Sequence, residues 1–393
     1  MTEPSRRRVA VTGLGVVATC GTGPDAFWSG LLAEPPVGER RIPSFDPAEW
    51  FDNPKKARRT DRFAQFAFAA AAQALEQAGD ISGDPTRKGV WIGTGVGGLI
   101  TVEDQILVRH EKGDRRVSPF LVPMMMPNAA AAGISMKYGW QGPCETTTTA
   151  CAAGTHSVGN GARLIQQGRC DAVIAGSSEA AMTPTGIAGF TNMTALSSSG
   201  ISRPFDRNRD GFVMAEGGAV LVLEEWEAAE RRGATILAEV LGSASTADAH
   251  HITAPSPGGS GAVACMELAL QDAGIDAAAV RHVNAHGTST PLNDAAEAEA
   301  IVKVFGETGP PTTSIKGVTG HALGAAGALE AVAVVLSMIN GVIPPTAGYR
   351  EPDPEMAAID VVREPRPWEP GPTLSNSFGF GGHNGCVVFA PAE

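Results

Sequence analysis

Six cysteines, at positions 20, 144, 151, 170, 265 and 386, are scattered through 393 residues without a C-x-x-C pair. That pattern excludes a zinc ribbon and a disulfide framework. There is no uninterrupted apolar run of about 18 residues, so no membrane span is expected. The opening MTEPSRRRVAVTG carries basic residues but no apolar stretch long enough for a signal peptide. A reducing, cytoplasmic setting is the expectation. Positive charge is also scarce: the formal net charge of -12 argues against nucleic-acid binding. One local exception is the basic cluster Lys55, Lys56, Arg58 and Arg59, which reads either as a solvated face or as a dock for an acidic partner. No low-complexity segment or Pro/Ser linker divides the chain.

What is present suits an enzyme scaffold. Hydrophobic residues make up 43% of the chain, enough for a large core, and 48 glycines with many alanines indicate tight turns and close packing. Short β-branched runs alternate with Ala-rich stretches, the pattern of a layered α/β protein. RRVAVTGLGVV predicts a first strand, 63–79 a helix, GVWIG a strand, CETTTTA (144–150) a buried strand and 152–167 a helix. DAVIAG and GAVLVL follow as strands, and the charged EEWEAAERRG closes a first half. A second series starts at ILAEVLGSAS and runs through helices at 260–274, 294–305 and 322–340 to the last strand, CVVFA. We read two related halves sharing one core, 1–235 and 236–393.

Cys151 lies in TTTTACAAGTHS, where a Thr-rich strand turns into a helix of small residues. Orphan backbone N–H groups and the positive end of the helix dipole favour thiolate there, the nucleophilic form. The alternative is a buried small hydrophobe, the reading kept for the other five cysteines. His286, in VNAHGTST, sits on a turn beside several hydroxyls. His321, in IKGVTGHALGAAG, leads into an apolar helix whose N-terminus disfavours imidazolium, predicting a neutral, N–H-donating ring. Either histidine alone also reads as structural. Lys316 is a buried cation near the site or a loop lysine, and Glu330 its partner or an exposed helical acid. SNSFGFGGHNG (375–385) reads as a turn whose backbone N–H groups can approach a ligand closely, as in an oxyanion hole. GTGVGG (93–98) satisfies G-x-G-x-x-G, but no clean second strand with an acidic ribose ligand follows. His250 and His251 lack further ligands at metal spacing, so no metal site is expected.

Together these residues resemble the β-ketoacyl-[acyl carrier protein] synthases of the thiolase superfamily, nearest the elongating synthase II type. TACAAG, SRPFDRNRDGFVMAEG, NAHGTST, KGVTGHALGAAGALE and NSFGFGG occur in the family's order over nearly the whole length. The resemblance implies a five-layered α-β-α-β-α fold of two similar halves. It implies decarboxylative condensation of a Cys151-bound acyl group with malonyl-ACP, in fatty-acid synthesis or as the catalytic subunit of a type II polyketide synthase. His286 and His321 would stabilise the enolate, Lys316 and Glu330 would support them, and Phe380 would gate the site. The N–H groups of Cys151 and Phe380 would form the oxyanion hole. Thr288 and Thr290 would contact the phosphopantetheine arm, which arrives on the carrier, so no resident cofactor is implied. Val102 would limit acyl length, and Phe190 and Gly381 would also bind substrate. Lys55, Arg58 and Arg59 fall where the family docks its acyl carrier protein. A homodimer, or a heterodimer with a chain-length partner, is implied, with Met124, Met125 and Met126 near that interface or in core packing. His383 stands where many relatives have Thr.

Overall fold

The structure, a computed structural model, describes residues 6–42 and 44–392. The start of the opening segment, residues 1–5, lies outside the described residues. Ten strands and five helices frame the site. The first five strands are β1 Val9–Ala18, β2 Lys88–Gly93, β3 Cys144–Glu145, β4 Ala172–Glu179 and β5 Gly217–Glu225. The second five are β6 Ala238–Ala247, β7 His282–Asn284, β8 Thr312–Thr313, β9 Thr373–Gly379 and β10 His383–Pro391. The helices are α1 Arg62–Ala78, α2 Ala153–Gln166, α3 Ser260–Ala273, α4 Pro291–Phe305 and α5 Ala326–Asn340.

The spatial order is β3-β2-β4-β5-β1 in one half and β8-β7-β9-β10-β6 in the other. Each strand thus has a counterpart five numbers on, with matching sense. The first three strands of each order run parallel, and the last two pair antiparallel. The halves join through β1 and β6 over two residue pairs, Ala10 with Glu239 and Val11 with Ala238. Helix α1 covers the outer face of the first half, α3 with α4 beside it covers the second, and α2 and α5 lie between them. This is the five-layered α-β-α-β-α arrangement.

The middle layer explains where the site forms. Helix α5 reads AGALEAVAVVLSMIN and is buried along nearly its whole length, as an all-round apolar helix must be. The stretch Leu323–Asn340 is long and apolar enough to cross a membrane, with mean hydropathy 1.7, but 89% of it is buried inside the fold. Helices α2 and α5 touch backbone to backbone. A Cβ on Gly154 would come within 2.5 Å of the Ala328 nitrogen, and one on Gly327 within 2.5 Å of the Thr155 nitrogen. Only glycine permits that approach, and it brings the segments before both helices, with Cys151 and His321, together.

Two local expectations are corrected. CETTTTA is not a buried strand: pairing stops after Cys144–Glu145, both exposed. Strand β3 lies at the sheet edge with one partner, and the threonines then leave the sheet to reach the turn at Ala150. Cys144 is therefore exposed and Cys20 half-buried, whereas Cys170, Cys265 and Cys386 are buried as expected. SNSFG is strand rather than turn, since β9 runs to Gly379 and only Phe380–Gly382 make the hairpin.

Candidate active site

Ala150 holds φ at +50°, a left-handed conformation that costs a non-glycine residue roughly 1–2 kcal/mol. This bend opens the short 3-10 turn Ala150–Ala152 ahead of α2 and turns Cys151 toward a cavity of about 540 Å³. On the opposite wall stands His321, its Nε2 3.1 Å from the Cys151 Sγ. The His321 backbone is pinned by bonds from its N–H to the Val213 carbonyl and from the Ala215 N–H to its own carbonyl. The His286 ring stands edge-on to it, centroids 5.3 Å apart.

Behind His286 lies a buried ion pair. Lys316 donates to the Glu330 carboxylate and, at 2.5 Å, to the His286 carbonyl, and its Nζ is 3.3 Å from His286 Nδ1. An ammonium has only donors, so this contact makes Nδ1 an acceptor and leaves the ring proton on Nε2. Burial, then the Lys316 charge, holds both histidines well below the ordinary imidazole range, so both are neutral. The ring proton of His286 can then stabilise negative charge without being surrendered. Burial pushes Glu330 up to about 7 against the lowering influence of Lys316.

The thiol departs from the expected ionisation. Burial raises Cys151 to about 11, and this outweighs the Lys316 charge and the N–H groups of Phe380 and Cys151 that favour thiolate. The resting nucleophile is therefore a protonated thiol sharing its hydrogen bond with His321. Those two N–H groups mark the place where an oxyanion would sit. Gly379 makes this possible: a Cβ there would lie 3.1 Å from the Cys151 nitrogen. Cys151, His286 and His321 also offer metal-ligand atoms within 4.8 Å of one another. The Lys316 ammonium against His286 opposes binding of a cation there.

The other predicted site residues divide. Thr288 and Thr290 line the cavity, with their hydroxyls 2.9 Å apart. Phe380 and Phe190 also line it, with ring centroids 6.5 Å apart, and Phe190 meets Phe212, which meets His321. Val102, on the helix Leu99–Lys112, is half-buried and lies outside the cavity lining. Gly381 is exposed in the hairpin, donating its N–H to the Ile252 carbonyl at 2.7 Å, and also does not line the cavity. His383 pairs with Gly379 and Ala247 in the sheet and likewise stays outside the lining. Lys55 and Arg58 are exposed on and just after the short helix Pro54–Ala57, and Arg59 lies 4.1 Å over the Phe120 ring. Met125 and Met126 are 36% and 40% exposed, so they do not pack in the core of this chain.

Three buried acids escaped the sequence reading. Glu297 accepts the N–H groups of His286 and Gly287, each at 2.7 Å. Asp294 accepts those of Thr288, Ser289 and Phe205. Together they fix the HGTST turn from one face of α4. Burial pushes Glu297 up to about 7 and raises Asp294 as well. Their spacing, three apart on the helix entered from HGTST, was the available signal. Glu179, at the end of β4, had none.

Comparison with known proteins places this geometry. Residues 36–229 match the N-terminal domain of β-ketoacyl synthases and residues 237–350 their C-terminal domain. The chain belongs to the β-ketoacyl synthase family. It is 41% identical to a 3-oxoacyl-[acyl-carrier-protein] synthase 2 of Synechocystis sp., covering 99% of both chains. Among solved structures, it matches the ishigamide ketosynthase/chain length factor with a TM-score of 0.92 and 34% identity, covering 99% of this chain and 100% of that one. A type II polyketide acyl-carrier protein in complex with its ketosynthase matches with a TM-score of 0.89 at 33% identity, covering 99% and 100%. The fold is thiolase-like, and the chain is a condensing acyltransferase: it performs a Claisen-type condensation of acyl and malonyl units.

Proposed function

We propose that this β-ketoacyl synthase elongates acyl chains on an acyl carrier protein in fatty-acid synthesis, with Cys151 as nucleophile. The observation that carries this reading is the Cys151 Sγ 3.1 Å from His321 Nε2, with neutral His286 beside it in one cavity. Cys151 attacks the acyl thioester carbonyl; its S–H proton passes to the departing carrier thiol, and the N–H groups of Cys151 and Phe380 hold the oxyanion. Malonyl-ACP then loses CO2, and the electron pair of the broken C–C bond becomes an enolate. His286 and His321 hydrogen-bond the enolate oxygen, needing no full general base. The enolate carbon attacks the acyl group, and Cys151 leaves and regains a proton. Lys316 and Glu330 set His286, Thr288 and Thr290 receive the phosphopantetheine arm, and Phe380 parts the two half-reactions.

The similarity to synthases 2, at 41–42% identity over nearly the whole chain, supports the fatty-acid pathway. A second reading, the catalytic subunit of a type II polyketide system, is supported by the ketosynthase structural neighbours. In either case exposed Ile106, Leu107, Val122, Met125 and Met126 suit burial against a second subunit. The test is incubation with malonyl-ACP and acyl-ACPs of graded length, weighing the carrier-bound products. Two-carbon β-keto extension of saturated acyl groups is expected. Failure with every saturated chain, but turnover once a chain-length partner is added, would transfer the enzyme to the polyketide reading.

The carrier partner has its own test. Arg58→Glu with Arg59→Glu should raise the apparent KM for acyl-ACP by roughly tenfold, leaving kcat within about twofold, because rim charges steer encounter rather than chemistry. An unchanged KM removes this patch from the docking surface.

A further inference from the structure

Glu179 is fully buried, lines the cavity beside Cys151 and has no part in the chemistry above. Its Oε2 accepts the Gly95 N–H at 2.6 Å and the Gly324 N–H at 3.2 Å, and its Oε1 accepts the Thr94 hydroxyl at 3.1 Å. Gly95 belongs to the loop after β2. Gly324 belongs to the turn after His321, where Leu323 holds φ at +46°. The two segments abut so closely that a Cβ on Gly324 would lie 2.1 Å from the Gly95 nitrogen. Gly95, Val96 and Leu323 all face the same cavity as Cys151.

We infer that Glu179 is a positioning residue for acyl transfer: its carboxylate clamps the Gly95 loop to the strained Leu323–Gly324 turn and so shapes the wall beside the nucleophile. The Gly95 and Gly324 N–H groups on Oε2 and the Thr94 hydroxyl on Oε1 favour the carboxylate form, in which the clamp is strongest. Burial pushes this acid up to about 7, while the Gly95, Gly324 and Val96 N–H groups and the Thr94 hydroxyl act the other way. Two loops from different halves of the fold must hold one geometry against a left-handed leucine. Displacement of about 1 Å at such a wall costs on the order of a hundredfold in rate. The enolate, in contrast, is met by His286 and His321, whose backbones are held separately by Glu297 and by residues 213–215.

This inference rests on the two half-reactions proposed above, and they can be measured apart. Acyl transfer is followed as release of free carrier in a single turnover with acyl-ACP, and decarboxylation as CO2 release from malonyl-ACP alone. Glu179→Gln removes the charge that the Gly95 and Gly324 N–H groups see, and leaves NH2 either against those two donors or on the Thr94 hydroxyl, which must turn to accept it. It should slow acyl transfer at least about tenfold and leave decarboxylation within about threefold. Thr94→Val, which keeps the shape but removes the hydroxyl that donates to Glu179 and accepts the Gly97 N–H of the same loop, should slow acyl transfer about threefold and decarboxylation not at all. If Glu179→Gln does not fold, Thr94→Val decides alone. Unchanged acyl transfer, or a parallel fall in both half-reactions, overturns the clamp. A wild-type protein that does neither half-reaction overturns the functional reading on which it stands.

Discussion

Cys151→Ala will erase the acyl-enzyme and cut condensation by at least about ten-thousandfold, because no other nucleophile in the cavity can form the thioester. The substitution removes one buried sulfur, at 7% exposure, and Ala150 and Ala152 on either side show that the turn accepts alanine. Stability should fall by no more than about 2 kcal/mol, in line with a small cavity. Malonyl-ACP decarboxylation should persist, since His286 and His321 stay in place and an uncharged methyl replaces a largely protonated thiol. Intact-protein mass after exposure to acyl-ACP reads the first expectation, and CO2 release reads the second. An acyl adduct on the variant would move the nucleophile elsewhere.

The raised thiol gives the same residue a pH signature. With Cys151 at about 11, roughly one thiol in three thousand is ionised at pH 7.5. Alkylation by iodoacetamide should therefore climb about tenfold per pH unit from 7 to 9, where a free cysteine would already level off. A plateau below pH 8 would show the thiolate that the helix N-terminus alone suggests.

That mismatch marks the boundary of what a sequence can show. Cys151, His286 and His321 were each open to a structural reading taken alone, and became legible because five motifs, TACAAG to NSFGFGG, stand in the order of a known family. The two-half α/β layering was legible from alternating β-branched and Ala-rich runs. The sign of the thiol shift was not, because it depends on how much of the chain closes over Sγ, a sum over residues far apart in sequence. The buried acids failed for a related reason. Asp and Glu are normally exposed unless paired, and the partners of Asp294, Glu297 and Glu179 are backbone amides delivered by folding. CETTTTA misled because β-branched threonines favour extension but cannot supply a second neighbouring strand.

Lys316→Met will destabilise the protein by about 3–5 kcal/mol at pH 8, because Glu330 must then either stay charged without its cation or hold a proton that the unfolded chain has released. Lys316 and Glu330 are each 1% exposed, and Glu330 is the one charged residue in the middle of an otherwise apolar helix. Urea unfolding at constant m reads the loss. It should widen as pH rises from 5 to 8. Unfolded Glu330 ionises near 4.5, whereas the buried carboxyl, already raised to about 7 beside Lys316 and higher without it, keeps its proton. The native variant then binds more protons than its unfolded state and more than the native wild type, whose Glu330 ionises near 7, so the gap opens as pH rises. Adding Glu330→Leu should recover most of the stability and flatten the pH dependence, because an apolar pair of similar volume replaces the ion pair. Activity should not return in the double variant: with no ammonium at His286 Nδ1, nothing holds the ring proton on Nε2, where the enolate needs a donor. Recovered condensation in the double variant would reduce the pair to a structural role.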